Sequence, residues 1–375
     1  LSSLYLHIPF CVSRCLYCDF FSTTLLELRH EYVEALLKEI ALRRNEWLTA
    51  ETIYFGGGTP SLMPPDDLVR LLQAIGIDNA NEITLEANPG DITPSLLQAW
   101  KQAGFNRLSI GIQSFDNSLL CRIGRRHTAE QAVDAVCQAQ AAGFDNLSID
   151  LMYGLPGQSM QQWRTSIEKA LQLGVQHISC YCLSYEEGTP LTRQLQQGLI
   201  EPQDEQTLND MYDLLCDLLA AHGFEHYEVS NFAMRGFRSR HNSSYWTDKP
   251  YVGLGAGAHS YCIDLQNNET RRTRSWNVSD LDTYIQVIRH NELPSEQEEL
   301  TAEQHRMEQI MLSLRTSEGV LIQVLTRDQS PADCQRILDK VKQYEQQHCL
   351  RQTPTHIVAT RQGLHILNRI IEDLL

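Results

Sequence analysis

Short apolar runs separated by longer amphipathic stretches fill the first 230 or so residues. Runs at 4–8, 52–55, 83–86, 107–111, 147–151 and 177–182 have the length and composition of buried strands. Between and after them, apolar positions recur at helical spacing over 32–44, 65–74, 129–142, 160–173 and 204–221. Strand alternating with helix predicts parallel strands joined by right-handed crossovers. Six such units, beginning on a strand, predict an α/β chain folded as a partial (β/α)6 barrel, with a doubly wound open sheet as the alternative. In a barrel, chemistry sits at the carboxyl ends of the strands. Polar, cysteine-bearing or glycine-rich segments do follow nearly every predicted strand, at 11–18, 56–61, 88–91, 113–114 and 153–158.

After about Ala233 the rhythm changes. Residues 236–249 are polar and aromatic, 251–261 are short and glycine-rich, and Arg271, Arg272 and Arg274 lie in a polar stretch. From 301 onward the pattern is helix (301–314), helix (331–347), an alternating segment (355–359) and a last apolar helix (364–375). That order predicts a smaller α+β module of winged-helix type. The expected division is a barrel over 1–233 and a C-terminal domain over 234–375.

Composition narrows the function classes. With 42% apolar and 21% charged residues, the chain is neither disordered nor fibrous. Its charge, 31 − 47 = −16, argues against a general nucleic-acid binder. No apolar run approaches the roughly 20 residues that span a bilayer, and no signal peptide is visible. The expected setting is cytoplasmic and reducing. There, eleven cysteines mean metal or redox chemistry where clustered and core packing where isolated.

The cluster is Cys11-Val-Ser-Arg-Cys15-Leu-Tyr-Cys18, directly after the first strand. Three thiolates at this spacing fit on one tight loop and can hold three irons of a [4Fe–4S] cluster. A closed zinc site needs a fourth ligand, and only His7 and Asp19 lie nearby. The fourth iron is thereby left open to a non-protein ligand. The plain alternative is three unrelated core cysteines.

With the residues before it (Tyr5-Leu-His-Ile-Pro-Phe), this motif resembles the radical S-adenosylmethionine (SAM) superfamily, in its coproporphyrinogen-oxidase-like branch. Further matches run along the chain: Gly56-Gly57-Gly58-Thr59-Pro60-Ser61, Glu82 to Pro89, Ser109 to Phe115, Gly124-Arg125-Arg126-His127, and Asp150 to Gln158. The resemblance implies that SAM chelates the open iron. Gly57 and Gly58 then let backbone approach its methionine part, Thr59 adds a hydroxyl, and Glu86 holds the ammonium or a ribose hydroxyl. Tyr5 and Tyr17 pack against cluster and ligand. Gln113, Arg125 and Asp150 form a further shell, which in the family's oxidases contacts a second SAM.

Two departures point within the branch. The oxidases carry a fourth cysteine two positions beyond the third, where this chain has Phe20, and a longer segment before the cluster. Both put porphyrinogen decarboxylation in doubt and match the shorter HemW-type haem chaperones. His241-Asn242-Ser-Ser-Tyr245-Trp246 resembles the HNxxYW element of that type. An imidazole can ligate haem iron, and Tyr and Trp offer flat apolar surface; the alternative is a structural histidine in a packing cluster. Arg238, Arg240 and the arginines at 271–274 are candidates for haem propionates, or are simply solvated.

Other signals are weaker. Gly253-Leu-Gly255-Ala-Gly257-Ala258 fits a dinucleotide fingerprint formally, but no helix is expected after it, so a tight strand approach is favoured. His259 beside it is a minor haem-ligand candidate. Cys180 and Cys182 share one face of the sixth strand, as a metal pair or as apolar filling. Three functions remain. The first is a carrier that binds haem as cargo and delivers it to acceptor haemoproteins, membrane respiratory enzymes among the candidates. The second is a radical SAM enzyme acting on a tetrapyrrole. The third is an iron–sulfur protein whose second domain docks partners. A cluster-dependent homodimer is compatible with each.

Overall fold

The computed structural model describes residues 2–47, 49–266 and 269–375. Six strands run parallel in chain order: β1 (Ser2–Ile8), β2 (Ala50–Gly57), β3 (Glu82–Ala87), β4 (Arg107–Gln113), β5 (Leu147–Tyr153) and β6 (His177–Cys182). They are the six expected from the sequence. β6 is followed in the sheet by an antiparallel pair, β7 (Glu225–Glu228) and β8 (Asn231–Ala233). On the other flank β1 pairs in parallel with β9 (Tyr251–Leu254). Antiparallel β10 (His259–Gln266), β11 (Glu269–Asn277) and β12 (Ser295–Glu299) complete a twelve-stranded sheet.

Period two decides which side chains face which way. Leu4, Leu6, Ile53, Phe55, Leu85, Ile110, Ile149 and Ile178 enter the main apolar core beneath the helices. The alternate positions meet one another across the strands on the concave face. Tyr5 stacks on Tyr54, Tyr54 donates to Glu86, Ser109 donates to Asp150, and Ser148 bonds His177. The lumen is therefore polar, unlike a barrel filled by layers of branched apolar side chains. Cys180 belongs to the outer core rather than the lumen, and Cys182 is exposed, so apolar filling is the right reading of the first.

The change of rhythm at 233 is not a break in the sheet. Val252, Leu254, Tyr284 and Ile288 join the same core as Leu4. The short helix Arg240–Tyr245 closes the lumen at the amino ends of the strands. Its first N–H groups, on Arg240 and His241, both donate to Glu82 at 2.9 Å.

The glycine-rich stretch is structural. A Cβ on Gly253 would lie 2.1 Å from the His259 carbonyl oxygen. The Gly255 N–H donates to Glu39 and the Ala256 N–H to the Tyr32 hydroxyl. These groups are already committed within the protein, and a strand follows, not a helix. His259 is exposed and stacks on Trp276.

A second core forms only from Ile310 onward. Helices Ala302–Ser313, Pro331–Gln346 and Leu367–Leu374 pack with a three-stranded antiparallel sheet of β13 (Val320–Leu321), β14 (Leu350–Gln352) and β15 (His356–Ala359). The expected final helix is divided at Ile366. Among the described residues no helix is long and apolar enough to cross a membrane.

Candidate functional site

The cysteine loop leaves β1 at the carboxyl rim and is clamped at both ends. The Cys11 N–H donates to the Thr23 carbonyl (2.9 Å), and the Thr23 N–H to that of Pro9 (2.7 Å). His7 Nε2 lies 2.8 Å from the Phe21 carbonyl oxygen. In mid-loop the Leu16 N–H donates to Ile123 at 3.1 Å, while Leu16 and Tyr17 pack on the cluster around Leu119 and Ile123. Cys11 is buried, and Cys15 and Cys18 are half-buried.

Two donors are aimed at sulfur. Thr59 Oγ1 is 3.5 Å from Cys11 Sγ, and Arg125 Nη1 is 3.4 Å from Cys15 Sγ. Burial pushes the Cys11 and Cys18 thiols up from their ordinary pKa. Thiolates there call for a positive partner, and a cationic guanidinium suits a metal-bound sulfur. Among the described residues no three His, Cys, Asp or Glu converge as a ligand set for a single metal ion. A cluster instead takes thiolates arranged around its cube, so the donor set fits an iron–sulfur cluster better than a mononuclear zinc site.

The glycine loop lies beside it. The Gly58 N–H donates to the Ile8 carbonyl at 2.8 Å, and a Cβ on Gly58 would lie 2.8 Å from the Phe10 carbonyl oxygen. Gly57 has φ +112°, and a Cβ there would sit 2.6 Å from the His7 ring. These glycines are thus required by β1 itself, before any ligand arrives. Gly57→Ala is expected to destabilise the protein by about 1–3 kcal/mol, the scale of a strained φ. It would also push His7 off Phe21 and loosen the cysteine loop. Thermal unfolding, together with protease sensitivity near residue 20, checks this.

Glu86 is half-buried beside the glycines. Its Oε1 accepts from the Tyr54 hydroxyl at 2.8 Å and its Oε2 from the Gly57 N–H at 3.2 Å. Burial, reinforced by the Asp150 charge, raises its pKa to about 7. Asp150 is likewise raised by burial, against hydrogen bonds from Ser179 and Ser109. Arg125 reaches the Asn88 side chain (3.3 Å) and the Gly111 carbonyl as well as Cys15. Gln113 has φ +68°, where β4 slips register against β5. Cys11, Cys15, Cys18, Thr59 and Arg125 therefore share one rim, with Glu86 and Gly57 next to it. Tyr17 packs within this group, its phenol pushed up by burial beside Cys15 and Cys18.

Tyr5 is placed differently from the expectation of cluster packing. Its hydroxyl is 3.1 Å from His7 Nδ1, and its ring neighbours Tyr54 and His241 down in the lumen. His241 is deeper still, at the lumen's amino end. Its Nδ1 is 2.9 Å from Thr52 Oγ1, its Nε2 is 2.8 Å from the Tyr245 hydroxyl, and its ring stacks on Tyr54. Burial and Arg107 lower its pKa to about 3, so it is neutral. Both ring nitrogens are spoken for, which corrects the expectation of a free haem ligand at His241.

Sequence reasoning missed Arg107, Glu82 and Tyr54. Arg107 is buried in the lumen, with Nε and Nη1 lacking partners among the described residues, so the lumen can take a polar or anionic group. Its signal was a charge at an inward position of an otherwise apolar-alternating strand.

A model of the radical SAM superfamily matches residues 5–170, and one of the HemN C-terminal domain matches residues 300–366. The chain is 35% identical to a protein from Lactococcus lactis named heme chaperone HemW, over 100% of this chain and 97% of that protein. The Bacillus subtilis protein of the same name is 36% identical over 85% of each. The structure resembles coproporphyrinogen III oxidase (HemN) from Escherichia coli, with TM-score 0.81 and 21% identity over 99% of this chain and 89% of that one.

Proposed function

The chain belongs to the HemW family of radical SAM proteins, and from that premise we propose that it is a haem chaperone, which binds haem and passes it to acceptor haemoproteins. The observation that carries the reading is the full-length likeness to relatives named heme chaperones. The fold adds physical support. The cysteine rim lies at one end of the strands, and the lumen is closed at the other by helix Arg240–Tyr245.

On this reading Cys11, Cys15 and Cys18 hold a [4Fe–4S] cluster, with Thr59 and Arg125 bonding its sulfur ligands. SAM is held against the glycine loop by Glu86, with Arg125, Asp150 and Gln113 around it. Bound there, cluster and SAM supply one-electron chemistry or a ligand-sensing device. The chain's own part is to orient SAM and to neutralise its positive charge with Glu86.

That charge has a pH consequence. A carboxyl with a pKa of about 7 is protonated below neutrality, and a cation binds only its charged form. SAM affinity is expected to be flat above about pH 8 and to fall below pH 7, towards the limit of roughly tenfold per pH unit for one displaced proton. Glu86→Gln should bind more weakly and remove the dependence. Calorimetric SAM titrations across pH check both.

The function is tested by transfer. Haem-loaded protein is mixed with the apo form of a haem enzyme, and acceptor activity is followed against a free-haem control. Delivery faster than, and resistant to, a free-haem scavenger is expected. Activity that tracks free haem alone would end the chaperone reading.

A further inference from the structure

On the far side of the closed lumen lies a cleft of about 630 Å³, between the helix Arg240–Tyr245 region and the C-terminal module. That volume falls in the range of small-molecule and cofactor sites, roughly 300–1,000 Å³. Tyr245, Trp246, Tyr251 and Tyr261 line one side. The Tyr245 and Tyr251 rings meet edge to face at 4.8 Å, so this side is an aromatic corner in which one ring face is braced by the edge of the other. Leu312, Leu321 and Val324 line the module's side.

The charges differ from those of the rest of the chain. On a molecule of net charge −16, the lining balances three cations (Arg238, Lys249, Arg274) against three acids (Asp248, Glu308, Glu318). Arg238 is ion-paired with Glu225 and Glu318, and Arg274 with Glu298 and the half-buried Glu308, so a ligand carboxylate would take the place of a glutamate at either guanidinium. Lys249 is exposed and forms no ion pair among the described residues. The cleft thus suits a planar apolar body carrying carboxylates.

Two histidines line it. His305 is buried and turned to Asp248, with Nε2 at 3.1 Å from Oδ2. His356, at the start of β15, is half-buried. Its Nδ1 is fixed by Thr355 Oγ1 at 2.8 Å, and its Nε2 has no hydrogen-bond partner among the described residues. One ring nitrogen anchored and the other free is the arrangement of a metal-ligating imidazole.

We propose that this cleft is the haem seat, with His356 as the iron ligand and with Lys249, Arg238 and Arg274 meeting the propionates. His241 is a positioning residue here: through Tyr245 it fixes the aromatic wall. The assignment rests on the chaperone reading and deepens it. Tyr54, His241 and Tyr245, stacked and hydrogen-bonded in series, stand between Glu86 at the rim and the cleft. Haem in the cleft is walled off from the rim by these side chains, as a cargo carried unchanged requires.

The test titrates ferric haem anaerobically into the full chain carrying its cluster. The expected wild-type result is saturable binding with a histidine-ligated spectrum. His356→Ala should lose that spectrum and weaken binding by about tenfold or more, with added imidazole restoring the spectrum. Ser313→Trp, which narrows the cleft, should weaken binding with cluster content unchanged. His241→Gln should retain the histidine-ligand signature. Wild-type spectrum and affinity in both His356→Ala and Ser313→Trp would overturn the site while leaving the chaperone reading intact. A phenolate spectrum lost in Tyr245→Phe would overturn the ligand assignment. A wild-type protein that binds no haem would remove the chaperone reading and this site with it.

Discussion

Cys15→Ala is expected to yield a folded, colourless protein without an iron–sulfur cluster. Each of the three thiolates would hold one iron, so removing one leaves a cube with two protein anchors and two open corners, which disassembles. Folding should survive because the loop is held by its backbone. The Cys11, Leu16 and Thr23 N–H groups all donate within the protein, and Leu16 packs with Ile123. The Cys15 thiol is half-buried and accepts from Arg125, a contact outside the backbone clamps of the loop. Iron and sulfide analysis, visible absorbance and circular dichroism of the reconstituted variant check both halves. Full iron content in Cys15→Ala would place the metal elsewhere.

The largest effect on stability is expected at Glu39. This carboxylate has no solvent exposure, yet takes four donors. Oε1 accepts from Arg43 (3.1 Å) and Asn277 (2.7 Å), and Oε2 from the Gly255 N–H (2.8 Å) and the Tyr284 hydroxyl (2.6 Å). It joins helix Arg29–Leu42 to the turn after β9 and to helix Leu281–Arg289. Glu39→Ala leaves a nearly buried Arg43 and three further donors without this acceptor. Removing one member of a buried charged network typically costs about 3–5 kcal/mol. The loss should carry to β1, because the Tyr32 hydroxyl bridges Ala256 and the His7 carbonyl in the same region. Urea and thermal unfolding measure the change; a shift below about 1 kcal/mol would mean that the network is not what fastens the flank.

The six parallel strands were legible because each carries an apolar outer face, packed under helices, within a continuous short run. The rim was legible from cysteine, glycine and carboxylate following those runs. What was not legible depends on pairing across long separations. β9 is four residues with one glycine, and its strand character comes from pairing with β1. β11 and β12 are polar because they form a solvated flank, held partly by cross-strand ion pairs such as Arg271–Glu299 and Arg274–Glu298; no apolar run marks them as strands. A charged edge strand also resists unwanted pairing.

His241 shows the same limit at the level of one residue. Its motif identified a family, and imidazole chemistry suggested an iron ligand. Its surroundings, Thr52, Tyr54 and the Glu82 cap, lie more than 150 residues away along the chain. They turn it into part of the closed lumen. His356, which no motif marks, lines the cleft with an Nε2 that faces no carboxylate among the described residues, whereas His305 Nε2 lies 3.1 Å from Asp248.

As a haem chaperone, this radical SAM scaffold should carry a tetrapyrrole without altering it. The most direct measurement incubates cluster-loaded protein anaerobically with SAM, reductant, haem and an apo-acceptor, with a parallel reaction on coproporphyrinogen III. Mass spectrometry then follows both 5′-deoxyadenosine and the tetrapyrrole. Intact haem in the acceptor and no substrate-dependent 5′-deoxyadenosine are expected. A decarboxylated or otherwise modified tetrapyrrole, formed together with 5′-deoxyadenosine, would contradict that expectation.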